Sequence, residues 1–186
     1  KIVVVTSLVR NALGVQQVPP AMVMNGLAII LSVFIMAPVA MDTADIVKTL
    51  PVPANPGPAD VIDLADRASP PLRRFLAANS DEKVTNMFMG TARRIWPAER
   101  HDMINKDNLL IMVPAFTISE LTKAFQIGFV LYLAFVAIDL IISNILLAMG
   151  MMMVSPTTIS LPFKLLLFVT LDGWLKISQG LMLSYQ

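Results

Sequence analysis

Apolar residues gather in three long runs, with shorter and more polar patterns between them. The first, Ala21 to Val39, has about the length of a transmembrane helix. Pro38 is expected to close it. Asn25 and Ser32 lie seven apart and share a face. A helix facing only lipid rarely combines Asn, Gly and Ser, so that face is read as packing against protein. The second run, Ser119 to Val154, is the one the rest is organised around. Taken as one helix, Phe125 to Met153 would be roughly 43 Å long at about 1.5 Å per residue, against a bilayer core of about 30 Å. It is too long for a simple span, and Gly128 and Gly150 are the expected places to bend or end it. The third run, Ile159 to Tyr185, carries Lys164, Asp172, Lys176 and Gln179 within about a third of a helix circumference. Asp172 and Lys176, at i and i+4, are placed to pair.

Between these runs the pattern shortens. Lys1 to Leu13 suits an amphipathic helix, although Val3 to Val5 would also suit a strand. Gly14 is placed as a stop, and QQVPP as a rigid connector. Because the chain opens on what looks like the back half of a helix, a segment before Lys1 is expected. The proline-rich PVPANPGP (51–58) reads as an extended linker. Three short helices should follow: one over VIDLADRA, one from Pro70-Pro71 through LRRFLAAN, and one capped by Ser80 with Asp81 and Glu82 in its first turn. Arg73, Arg74, Arg93 and Arg94 read as a solvated face. Leu109 to Thr117 is broken by Pro114, near which the long helix is expected to begin, and SPTT (155–158) separates the last two runs. The expected organisation is an N-terminal amphipathic and hydrophobic part (1–39), a small helical extramembrane region (40–108), and C-terminal hydrophobic hairpins (109–186).

Composition sharpens this picture. The chain is 56% hydrophobic, with a mean hydropathy of +0.70, and the excess lies in the three runs, as in a membrane or membrane-associated protein. Without cysteine there are neither disulfides nor thiolate metal sites. A net charge of +1 gives no argument for nucleic acid. His101 stands in a polar stretch without partners at ligand spacing. No nucleophile–base set, metal cluster or phosphate-cradling glycine loop is present, so neither enzyme nor cofactor is expected.

Charges inside the runs are the informative residues. Asp139, Lys164, Asp172 and Lys176 would together cost on the order of 10 kcal/mol if they faced lipid. They must meet protein or water. One reading is an ion-coupled carrier with Asp139 and Asp172 along its path. The other is an oligomer that buries such groups at helix and subunit contacts, with Lys123, Gln126, Asp139 and Asn144 as polar packing. Similar numbers of acids and bases favour the second. Met151, Met152 and Met153 cannot share one helix face, since successive residues turn by about 100°. They fill a core or, in a loop, form a soft contact surface.

SLVRNALG with QQVPP, SELTKAFQIGF, DLIISNILLAMGMMMVSP and LPFKLLLFVTLDGW together resemble the SctR/FliP family of type III secretion export-apparatus proteins. The resemblance is close over Lys1–Val39 and Leu109–Tyr185 and weak over Ala40–Asn108, where PLRRF alone is familiar. QQVPP is closer to the injectisome branch than to the flagellar one. The resemblance implies an all-α fold of long bent hairpins with a small extramembrane insertion, assembling in a ring at the bacterial inner membrane and projecting into the periplasm. It implies partners as well: copies of the chain, SctS/FliQ-like and SctT/FliR-like subunits, an SctU/FlhB-like switch protein, rod or needle proteins, and unfolded secreted substrates. By the same resemblance, Met151–Met153 match a gasket around a closed pore. Glu120 and Lys164 match a structural ionic contact, whose third, arginine, partner has no clear match where this chain reads NSDE.

Overall fold

A computed structural model describes residues 1–15, 18–51 and 57–185. Gln16 and Gln17 of the connector and most of the proline-rich linker therefore lie outside the described residues. Within these limits the chain is helical: α1 (Ile2–Ala12), α2 (Ala21–Thr49), α3 (Pro58–Ala68), α4 (Pro70–Asn79), α5 (Glu82–Ile95), a 3₁₀ segment (Ala98–Met103), α6 (Leu109–Ala148), α7 (Pro156–Thr170) and α8 (Gly173–Leu183). The chain divides into two compact units, Lys1–Ser32 with Leu121–Gln186, and Val33–Glu120. Their borders fall inside α2 and α6.

In the first unit, the buried positions of α1 are Ile2, Val5, Thr6, Val9 and Ala12. This is one stripe of a helix and settles the helix-or-strand choice. Met24, Ala28 and Leu31 form the corresponding stripe on α2, whose other faces are largely exposed. The α6 helix runs through Gly128 without a break, so the helix does not end there. Gly128 instead permits a close approach: a Cβ at this position would collide with the side chain of Leu8. The ring of Phe168 on α7 lies 6.3 Å from Phe135 of α6 and 5.2 Å, edge to face, from Trp174 of α8.

Three helix boundaries differ from expectation. Pro38 does not close α2, which continues to Thr49. Proline removes one N–H, but the neighbouring turns hold the helix together. Pro114 lies inside α6, which begins five residues earlier because Asn108 caps it, its Oδ1 accepting from the Leu110 N–H at 2.9 Å. The third run does not form one helix. α7 and α8 meet at 59°, and Asp172 at the break has a φ of 51°. The helical wheel that aligned Lys164 with Asp172, Lys176 and Gln179 is therefore broken between the first and the rest.

The second unit holds the short helices. Ala92, Ile104 and Ile111 form its buried cluster, with Phe88, Met89 and Trp96 packed against it. Phe75 and Phe116 add a tilted ring pair at 5.8 Å. Asp81, not Ser80, caps α5, accepting from the Lys83 N–H at 2.7 Å. Ser80 ends α4, donating to the Leu76 carbonyl. Arg73 is likewise not simply solvated. It donates to Ser69 Oγ at 2.8 Å and to the Asp107 carbonyl at 2.6 Å, and it pairs with Asp66. Arg74, Arg93 and Arg94 are exposed as expected. Lys106 meets Glu82 at 2.9 Å. That hydrogen bond, and then the charge of Lys106, hold the Glu82 carboxyl below its ordinary range.

Candidate functional site: a buried ion cluster and an exposed methionine turn

Lys164 is only 4% exposed. An isolated ammonium at such depth would be costly, and the fold gives it two acceptors. Its Nζ lies 2.6 Å from Asp139 Oδ2 and 3.1 Å from the Ala12 carbonyl. Ser160, fully buried one turn earlier on α7, donates to the other oxygen of Asp139. The cluster thus joins three helices. Asp139 comes from α6, Lys164 and Ser160 from α7, and Ala12 from the last turn of α1, where carbonyls have no intrahelical partner. A cleft of about 420 Å³ opens beside it, lined by Leu13, Gly14, Tyr132, Asp139, Thr158 and Lys164 among others.

Asp139, expected as polar packing, is the carboxylate that the structure brings to Lys164. Glu120 is buried in the other unit and 4% exposed. Its contact with Lys164 therefore rests on the family resemblance alone. Asp172 and Lys176 are both exposed, and no ion pair joins their side chains among the described residues. They are linked by the backbone, Lys176 N–H to the Asp172 carbonyl at 3.0 Å. Gln126 and Asn144 are exposed, and Lys123 is half-buried. Ser160 and the Ala12 carbonyl went unnoticed in the sequence. Ser160 stands four residues before Lys164, on the same helix face, and that spacing was the available signal.

The methionine triplet falls outside any helix. Past Ala148 the chain closes α6 with a paired motif: the Gly150 N–H donates to Leu147 and the Met151 N–H to Leu146, both at 3.0 Å. Gly150 takes a φ of 74°, the left-handed geometry that this ending requires. Helix formation is thereby stopped immediately before the triplet, which occupies the turn into α7. Met149, Met151, Met152 and Met153 are 60%, 43%, 80% and 101% exposed. Within this chain they fill no core.

The FliP family model covers residues 1–181. This chain belongs to the FliP family. Among FliP relatives, Yop proteins translocation protein R of Yersinia pestis is 53% identical over 185 residues, spanning all of this chain and 85% of the relative. Virulence protein YscR of Salmonella typhimurium is 52% identical over 174 residues, 94% of this chain and 80% of the relative. Hypersensitivity response secretion protein HrcR of Ralstonia nicotianae is 47% identical over 188 residues, all of this chain and 86% of the relative. These FliP relatives are of the injectisome type. By length and composition, α2 and α6 of this FliP-family chain can each cross a membrane, and the bent α7–α8 pair is a third candidate.

Proposed function

We propose that this chain is a pore-forming subunit of an export gate, closing a narrow protein-conducting channel with its methionine turn. As a FliP-family member with injectisome-type relatives, it is a non-catalytic component of a type III secretion export apparatus in the inner membrane. The finer reading places it in a ring with copies of itself. SctS/FliQ-like and SctT/FliR-like subunits, an SctU/FlhB-like protein and rod or needle proteins complete the assembly, which projects into the periplasm and passes unfolded substrates.

The observation that carries this reading is the exposed triplet. Three flexible thioether side chains stand on a turn whose glycine ends the helix just before them. Unbranched apolar side chains deform around objects of variable shape. Presented from several copies around an axis, they would exclude water and ions at rest and yield to a passing chain. The Asp139–Lys164–Ser160 cluster has a supporting role, fixing α6 against α7 on either side of the turn. An ion-coupled carrier fits less well, since one of its two acids, Asp139, is already held by Lys164 and Ser160.

The test replaces Met151, Met152 and Met153 together by alanine and measures leakage of small solutes through the assembled complex. Leakage with assembly retained is the expected result. A complex that assembles and stays tight would reject the gasket.

A further inference from the structure

In the single chain the turn that suits a seal leaves its sulfur atoms open to water, and in a ring a peroxide small enough to diffuse to the rims of the seal would meet them there. We infer that Met151, Met152 and Met153 form an oxidation-sensitive site, at which conversion to methionine sulfoxide by a peroxide opens the resting seal and enzymatic reduction restores it. The inference rests on the gasket reading above and adds to it a mode of regulation and damage.

Three observations carry it. The thioethers are open: Met152 and Met153 are 80% and 101% exposed, whereas Met24 and Met112 are each 3% exposed. The chain has no cysteine, so no thiol within it competes for the oxidant. Lastly, the triplet lies on a turn, where a larger polar side chain meets no helix packing that would resist it.

The chemistry is balanced with a peroxide as the sole co-reactant. A sulfur lone pair attacks one peroxide oxygen, the S–O bond forms and the O–O bond breaks. The departing hydroxide takes the proton from the transferred oxygen and leaves as water. Sulfur loses two electrons and the peroxide gains them. The product is a polar, chiral side chain in place of a flexible apolar one. A hydrophobic constriction holds because it stays dry. Sulfoxides at its narrowest point would wet it.

The experiment uses the assembled complex in sealed vesicles loaded with a small fluorescent anion, with hydrogen peroxide as the probe. Peptide mass spectrometry should find sulfoxide at Met151–Met153 well before Met24 and Met112. Anion release should then rise several-fold and fall again after treatment with methionine sulfoxide reductases. A variant with Met151, Met152 and Met153 replaced by leucine keeps an apolar turn without sulfur, and peroxide should leave its leakage unchanged. Sulfoxide at all three positions with no rise in release would overturn the inference. So would an equal peroxide-induced rise in the leucine variant, or a triplet that stays unoxidised while the exposed Met22 reacts. The alanine variant without oxidant tests the gasket separately: if it leaks while the fully oxidised complex stays tight, the inference falls and the gasket stands.

Discussion

At the scale of single residues, Lys164 has the most demanding position. Its burial is tolerable because one carboxylate and one helix-terminal carbonyl receive it. Removing one partner of a buried pair costs about 3–5 kcal/mol, because the other charge is left uncompensated. Asp139 retains 27% side-chain exposure. Water can partly replace it, and Asp139→Ala should fall near the lower end of that range. Lys164→Met removes the charge but leaves Asp139 some access to water, so it should cost less. The double change to apolar residues should cost less than the sum of the singles, since no uncompensated charge remains. Unfolding titrations of the three variants, set out as a double-mutant cycle, should give a coupling above about 1 kcal/mol. Strict additivity would mean that the contact contributes nothing. The sequence supplied the charges in this cluster but not their partners. Helical spacing tells which residues share a face of one helix. It does not say that Asp139, 25 residues away on another helix, would arrive at Lys164, nor that a backbone carbonyl of α1 would complete the site.

At the scale of elements, the legible features were those with local causes. The amphipathic stripe of α1 and the long apolar periods of α2 and α6 follow from side-chain pattern alone. What was misread depended on tertiary context. Pro38 and Pro114 are expected to bound helices but sit inside them: the neighbouring turns carry α2 through Pro38, and the Asn108 cap starts α6 before Pro114. Gly128, in sequence a place to bend or end the helix, lies within α6 and makes room for Leu8. This last difference is testable. On an isolated helix, Gly→Ala should stabilise by about 1 kcal/mol. Here the added Cβ meets Leu8, and overpacking typically costs about 1–3 kcal/mol. Gly128→Ala should therefore be neutral to destabilising, against the sign of helix propensity. Adding Leu8→Ala should turn the Gly128→Ala step favourable, although Leu8→Ala alone loses packing. A hinge glycine would behave differently: Gly128→Ala would stiffen α6 regardless of what stands at position 8. Thermal unfolding of the two singles and the double separates these cases.

At the scale of the whole molecule, the question is what covers the apolar and charged surface that one chain leaves open. Only 17% of the apolar window of α2 and 11% of that of α6 are buried within the chain. Lipid can cover exposed Phe, Ile and Leu at no cost. It cannot cover Asp172 and Lys176, both exposed at the bend between α7 and α8. Each would cost about 2.5–3.5 kcal/mol at mid-membrane. Their side chains do not neutralise one another in this chain, so another polypeptide or water must meet them. In the proposed ring, neighbouring subunits do so, and the two charges then act on assembly far more than on the fold of one chain. Lys176→Glu should consequently lower the yield of the assembled complex several-fold, while the helical content and unfolding midpoint of the isolated chain stay close to wild type. Lys176→Arg, which keeps the charge, should assemble. The measurement is the distribution of the purified protein between ring-sized and single-chain particles in mild detergent. If Lys176→Glu assembles as well as the wild type, Lys176 faces water, and the charges at the bend give no support to a subunit contact there.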